Sequence, residues 1–203
     1  MIFNNKNIKT LLTILFSFLL VSCNNKETTN ITNNVETDLS ITESLLKNER
    51  HLDLSNKKLN EIPNLSEYDS IISLNLSNNL LIEINFDYLP KNLKRLNLSH
   101  NQIGDEFQLN FKEFPSIEEI DLSFNNLKYI KVSNPINKFI INNNKLIFVN
   151  INHKELNYLD ISNNTDLSNI VDFYPNDIDT LLRKNISNDL PLKYKPFVIV
   201  NGE

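Results

Sequence analysis

The residues best equipped for chemistry in this chain are few: one cysteine, Cys23, and three histidines, His51, His100 and His153, set among recurring Ser and Asp. A single thiol excludes CxxC metal or redox chemistry and any disulfide within the chain, and no histidines have the HExxH spacing of a helical zinc site. Ser-His-Asp catalysis needs nucleophile, base and orienting acid in one hydrogen-bonded array. Ser and Asp that recur at a fixed period beside His51 and His100 supply that composition without that geometry. Gly104 and Gly202 are the only glycines, so neither GxGxxG nor GxxxxGK[ST] occurs and both phosphate-cradling loops are excluded. The chain is expected to be no enzyme and to hold no metal or cofactor.

The surroundings of Cys23 suggest a different use for the thiol. "MIFNNKNIKT" carries Lys6 and Lys9 and no acid, and the apolar run from Leu11 to Val21 follows it. That run falls short of the roughly 18 to 20 residues that span a bilayer, so it reads as the apolar part of a secretory signal. Leu20-Val21-Ser22-Cys23 resembles the lipobox of bacterial lipoproteins. The resemblance implies that residues 1–22 are a signal peptide cut before Cys23, whose sulfur takes a diacylglyceryl group and whose new amino group is usually acylated. An ordinary cleaved signal followed by a free thiol is the alternative. At about 0.8 kcal/mol per buried CH₂, two or more acyl chains give the stable anchoring that one chain does not.

Residues 23–38, beyond the thiol, are polar and without period, and read as a flexible spacer. Their "NNKE" start is similar to the acidic export signals that take some bacterial lipoproteins to the cell exterior. The expected location is the bacterial envelope, at the outer membrane or cell surface.

Overall charge narrows the partners further. There are 20 Lys plus Arg against 25 Asp plus Glu, and no long basic run. Nucleic acid is therefore not an expected partner, because phosphate binding requires clustered cations. What remains after the leader suffices for one domain.

That domain must be built from a repeat. "HLDLSNKKL" from His51, "SLNLSNNLL" from Ser73, "RLNLSHNQI" from Arg95, "EIDLSFNNL" from Glu119, "KFIINNNKL" from Lys138 and "YLDISNNTDL" from Tyr158 align with one another. They resemble the LxxLxLxxNxL core of the leucine-rich repeat family over about residues 49 to 170. The resemblance implies an α/β repeat solenoid with short parallel strands on a concave face and mostly extended or 3₁₀ chain on the convex face. About six repeats occupy 51–170, with an N-terminal cap at 39–50 and a C-terminal cap at 171–203. "NDIDTLLRK", Asn176 to Lys184, is predicted as a helix and "PFVIV", Pro196 to Val200, as a strand.

Individual positions have separate physical roles. Paired residues such as Leu52 and Leu54 are two apart, so in a strand both face inward. Asn79, Asn101, Asn125, Asn144 and Asn164 form a column whose amides can satisfy backbone groups of neighbouring coils where the chain leaves the strand. Lys57 takes that position in the first repeat, and Ile140 stands where the other five strands carry Asp or Asn. The outward residues Arg95, Glu119, Lys138, Ile140 and Tyr158, with His100 and Phe124 just beyond the strands, are the candidate contacts for a protein ligand. Aromatic and Arg side chains are the anchors that protein interfaces favour. The chain is expected to act as a monomer that binds a protein, or with less support a glycan, through this face. The alternative is a periplasm-facing scaffold or toxin-immunity inhibitor.

Overall fold

The computed structural model describes residues 48–109, 113–133, 135–151, 156–171, 180–182, 184 and 199–200. The signal peptide, Cys23, the spacer, residues 39–47 of the N-terminal cap and His153 lie outside the described residues. Six three-residue strands carry the repeat: β1 (His51–Asp53), β2 (Ser73–Asn75), β3 (Arg95–Asn97), β5 (Glu119–Asp121), β7 (Lys138–Ile140) and β9 (Tyr158–Asp160). They pair in parallel, and the register aligns Leu52, Leu74, Leu96, Ile120, Phe139 and Leu159. A single coil could not hide so short an apolar strand, but stacking buries all of these residues except the first, Leu52, which stays partly exposed.

The same sheet runs on past residue 170. β11 (Thr180–Leu182) pairs in parallel with β9, and β12 (Ile199–Val200) pairs with β11, making eight strands. Residues 180–182 are thus strand, where a helix was expected over Asn176 to Lys184. A short apolar segment is ambiguous between the two, and tertiary stacking decided it: Leu181 takes the place below Leu159 and is fully buried.

A second, four-stranded parallel sheet lies outside the first, in the order β10 (Asn169–Val171), β8 (Phe148–Ile151), β6 (Asn126–Val132) and β4 (Gly104–Leu109). Phe107, Leu109, Ile130, Val132, Val149 and Ile151 point from it into the core. Extended chain was expected on this side; stacked in register, it pairs. The helical content implied by an α/β label is confined, among the described elements, to one 3₁₀ segment, Phe86–Tyr88. Its Phe86 ring lies 5.8 Å from both Phe107 and Phe114, packing the space opened by the longest step between strands. Coil stacking also continues into the turns: Leu59, Leu81, Ile103, Leu127 and Leu146 are all buried, as are Ile62, Ile130 and Val149, while Ile84 is partly so.

Candidate functional site

The concave sheet is supported from behind by its asparagines. Asn125 is typical: its Oδ1 accepts the N–H of Ile103 in the preceding coil at 3.0 Å, and its Nδ2 donates to Leu98 O of that coil and Leu122 O of its own, both at 3.0 Å. Asn101, Asn144 and Asn164 repeat the pattern one coil at a time. Asn79 does the same toward the first coil, accepting from both Lys57 and Leu59 N–H. Every one of these amides reaches back to the coil before it. Lys57, in the corresponding place of the first coil, is received by this ladder instead of extending it.

On the concave side the middle column is also engaged with the chain's own backbone. Oδ1 of Asp53, Asn75, Asn97, Asp121 and Asp160 accepts the N–H of the residue two positions on, Ser55, Ser77, Ser99, Ser123 and Ser162, at 2.8 to 3.1 Å. These are Asx turns that close each strand. For Asp53 the Ser55 backbone bond, with the Ser55 side chain next, holds the carboxyl below its ordinary value. Ser123 and Ser162 hydroxyls add bonds of 2.6 Å to Asp121 and Asp160. The chain then turns through a left-handed residue in every coil: Asn56, Asn78, His100, Phe124, Asn143 and Asn163 all have φ between 52° and 58°. Asn adopts this conformation at low cost. His and Phe do not share that advantage, and where they replace Asn the two rings stack, centroids 4.1 Å apart at 10°, leaving Phe124 46% exposed on the rim.

What remains for a ligand is the first column. The structure places Arg95, Glu119, Lys138 and Tyr158 side by side on consecutive strands, with Arg95 exposed and the others partly so. A shallow open depression over Arg95, Glu119 and Lys138 is lined also by Ser73, Asn75, Asn97, Asp121 and Ile140. The Lys138 ammonium lies 5.6 Å from the centroid of the Tyr158 ring. Burial, then the charges of Asp160 and Asp121, raise the Tyr158 phenol above its ordinary value, so it stands on the face as a neutral donor. Of the seven candidate contacts, five share this face, while His100 and Phe124 form a separate stacked pair at its edge.

Sequence reading missed the left-handed column, although the recurrence of Asn at that position carried the signal. It also gave no account of Leu80, Ile82 and Tyr129, which are exposed away from the concave strands. Among the described residues no group of three or more His, Cys, Asp or Glu is placed to hold a metal ion. No described helix is long and apolar enough to cross a membrane.

A family model for leucine-rich repeats in two copies matches residues 91–139. Lumican of Oryctolagus cuniculus is 35% identical over 92 residues, which are 44% of this chain and 47% of lumican, so the chain spans about half the length of that curated relative. Among solved structures, the leucine-rich repeat domain of a Shigella effector is 17% identical, with TM-score 0.46 over 79% of this chain and 81% of that one. Human trophoblast glycoprotein is 16% identical, with TM-score 0.41 over 68% of each chain. The family match covers two leucine-rich repeats within residues 91–139, and the stacked parallel strands and asparagine ladder around them form a leucine-rich repeat β-solenoid with almost no helix among the described residues.

Proposed function

We propose that the chain is a bacterial lipoprotein, tethered to the envelope through acylated Cys23, whose solenoid binds a protein through its concave sheet. Leucine-rich repeats commonly serve as protein-binding modules. The observation that carries the reading is the contrast between columns. The middle column is spent largely on closing its own strands, while Arg95, Glu119, Lys138 and Tyr158 in the first column differ from coil to coil, and the first three of them line the open depression. Such a surface offers charge and aromatic area of the kind that protein interfaces use, which supports binding as its role. The tether rests on Leu20 to Cys23 and the segments before it.

Crosslinking in intact cells followed by pull-down tests the binding surface. Replacing Arg95, Phe124 and Tyr158 together with Ala is expected to abolish capture of the crosslinked partner; undiminished capture refutes a concave site. Labelling cells with a clickable fatty acid tests the tether, with wild type labelled and Cys23→Ala unlabelled. Protease treatment of intact cells decides the face: digestion of the solenoid supports outward display, and protection until the outer membrane is opened supports the periplasmic scaffold or inhibitor.

A further inference from the structure

One concave position departs from the repeat at a structural cost. In five coils the middle-column Asp or Asn accepts the N–H two residues on. Ile140 has no acceptor to offer, and no described residue accepts the Asn142 N–H. Asn142 itself replaces the serine of the other coils; its Nδ2 donates to Asp160 Oδ2, and its Oδ1 is buried with no hydrogen-bond partner. Ile140 therefore gives up a strand-closing bond and lies on the outer face, only partly buried, where core packing gains little from it. A local rule broken without structural return marks a functional position.

The neighbours of Ile140 define what it fits. The register sets Asp121 on one side and Asp160 on the other, each about 4.8 Å away across the strands. Asp160 is nearly buried and both its oxygens are occupied, by Ser162 and by Asn142. Asp121 uses Oδ1 for Ser123, and its Oδ2 accepts no bond from any described residue. Glu119 lies two residues before Asp121 on the same face of β5. An apolar seat flanked by an available carboxylate complements a long side chain with an alkyl stem and a cationic end. Lys138, two residues before Ile140 on β7, is turned over the Tyr158 ring, showing that an ammonium is already accommodated on this part of the sheet.

We propose that Ile140 and Asp121 form the specificity seat of the concave surface, receiving a lysine or arginine side chain of the partner protein. The stem packs on Ile140 and the charge meets Asp121 Oδ2, with Glu119 adding to the field. This deepens the concave-binding reading and rests on it.

The test uses residues the repeat already tolerates. Ile140→Asn restores the Asx acceptor found in coils two and three, and Asp121→Asn keeps that acceptor while removing the charge; both variants should fold as stably as wild type or better. The full chain, isotope-labelled in detergent micelles, is titrated with the blocked tripeptides Gly-Lys-Gly, Gly-Arg-Gly, Gly-norleucine-Gly and Gly-Glu-Gly. Saturable amide shifts at 119–123 and 138–142 are expected with the Lys and Arg peptides, and binding at least about tenfold weaker with norleucine, since a charged hydrogen bond is lost. Each variant should weaken Lys binding by about tenfold. Equal binding of norleucine, preference for Glu, absence of any shift, or an unchanged Lys titration in both variants overturns the seat. Failure of the underlying reading looks different: partner capture in cells would then be indifferent to the Arg95, Phe124 and Tyr158 replacement. Capture that needs those three but not Ile140 or Asp121 sinks the seat and leaves the concave reading standing.

Discussion

Phe124 and Asn125 are consecutive residues with opposite relations to the fold. Asn125 is buried and bonds four backbone groups of two coils, while Phe124 stands on the rim in a left-handed conformation that four other coils give to Asn. The same division runs through the whole solenoid. Columns that repeat their residue direct it at the chain itself, as the asparagine ladder and the Asx turns do. Columns that vary, such as Arg95, Glu119, Lys138 and Tyr158, are free of that duty. In a stack where each coil supports only its neighbours, variation concentrates where no neighbour depends on it.

The sharpest way to break this division is at Asn125 itself. Asn125→Ala leaves the Ile103 N–H without a partner inside the solenoid and takes one of two donors from each of the Leu98 and Leu122 carbonyls, which keep Asn101 and Asn144, and is expected to cost about 3 kcal/mol in denaturant unfolding. Loss of less than about 1 kcal/mol would mean that the ladder is not what holds the coils in register. Ile140→Asn should move the other way, raising stability by about 1 kcal/mol as the Asn142 N–H gains an acceptor. A clear loss would show that Ile140 is a packing residue after all.

Phe124→Asn exchanges an aromatic stack on His100 for a residue suited to positive φ. Stacking is worth about 0.5 to 1.5 kcal/mol and the left-handed conformation costs an ordinary residue about 1 to 2 kcal/mol. The two nearly cancel, so the midpoint should scarcely change, in contrast to its neighbour. A loss comparable to that of Asn125→Ala would place Phe124 with the structural columns.

The smallest effect is electrostatic. The folded Asp53 carboxyl lies below its ordinary value of 3.8, so its ionised form contributes stability above about that pH, and the contribution disappears as pH falls through the lowered folded value. Asp53→Asn keeps the oxygen acceptor for Ser55 and removes the titration. The variant should be slightly less stable at neutral pH and converge with wild type in acid; a difference that persists there would assign the effect to geometry and not to charge.

Much of this fold was legible because its rule is local and repeated. The spacing of Leu52, Leu74, Leu96, Ile120, Phe139 and Leu159 is the pairing register of the strands, and the asparagine column stands out for the same reason. The second sheet was less visible. Its strands have no common motif, and β4 meets β6 through a bulge at Lys128, whose Nζ lies 3.0 Å from Asp105 Oδ1. That pairing follows from stacking and not from local propensity. Thr180 to Leu182 was misread for the same reason, because only Leu159 alongside distinguishes strand from helix there. The candidate contacts could be assigned to a face by alternation, but the engagement of Asp121 Oδ1 and the missing bond at Asn142 required atoms in place.

Photo-crosslinking in intact cells compares the two sheets directly. A photoreactive residue is placed either at position 138, on the concave first column, or at position 129, where Tyr129 is 45% exposed on the outer sheet. A protein adduct from position 138 and none from position 129 is the predicted result. An adduct from position 129 alone would contradict the account, moving the binding surface to the opposite side of the solenoid.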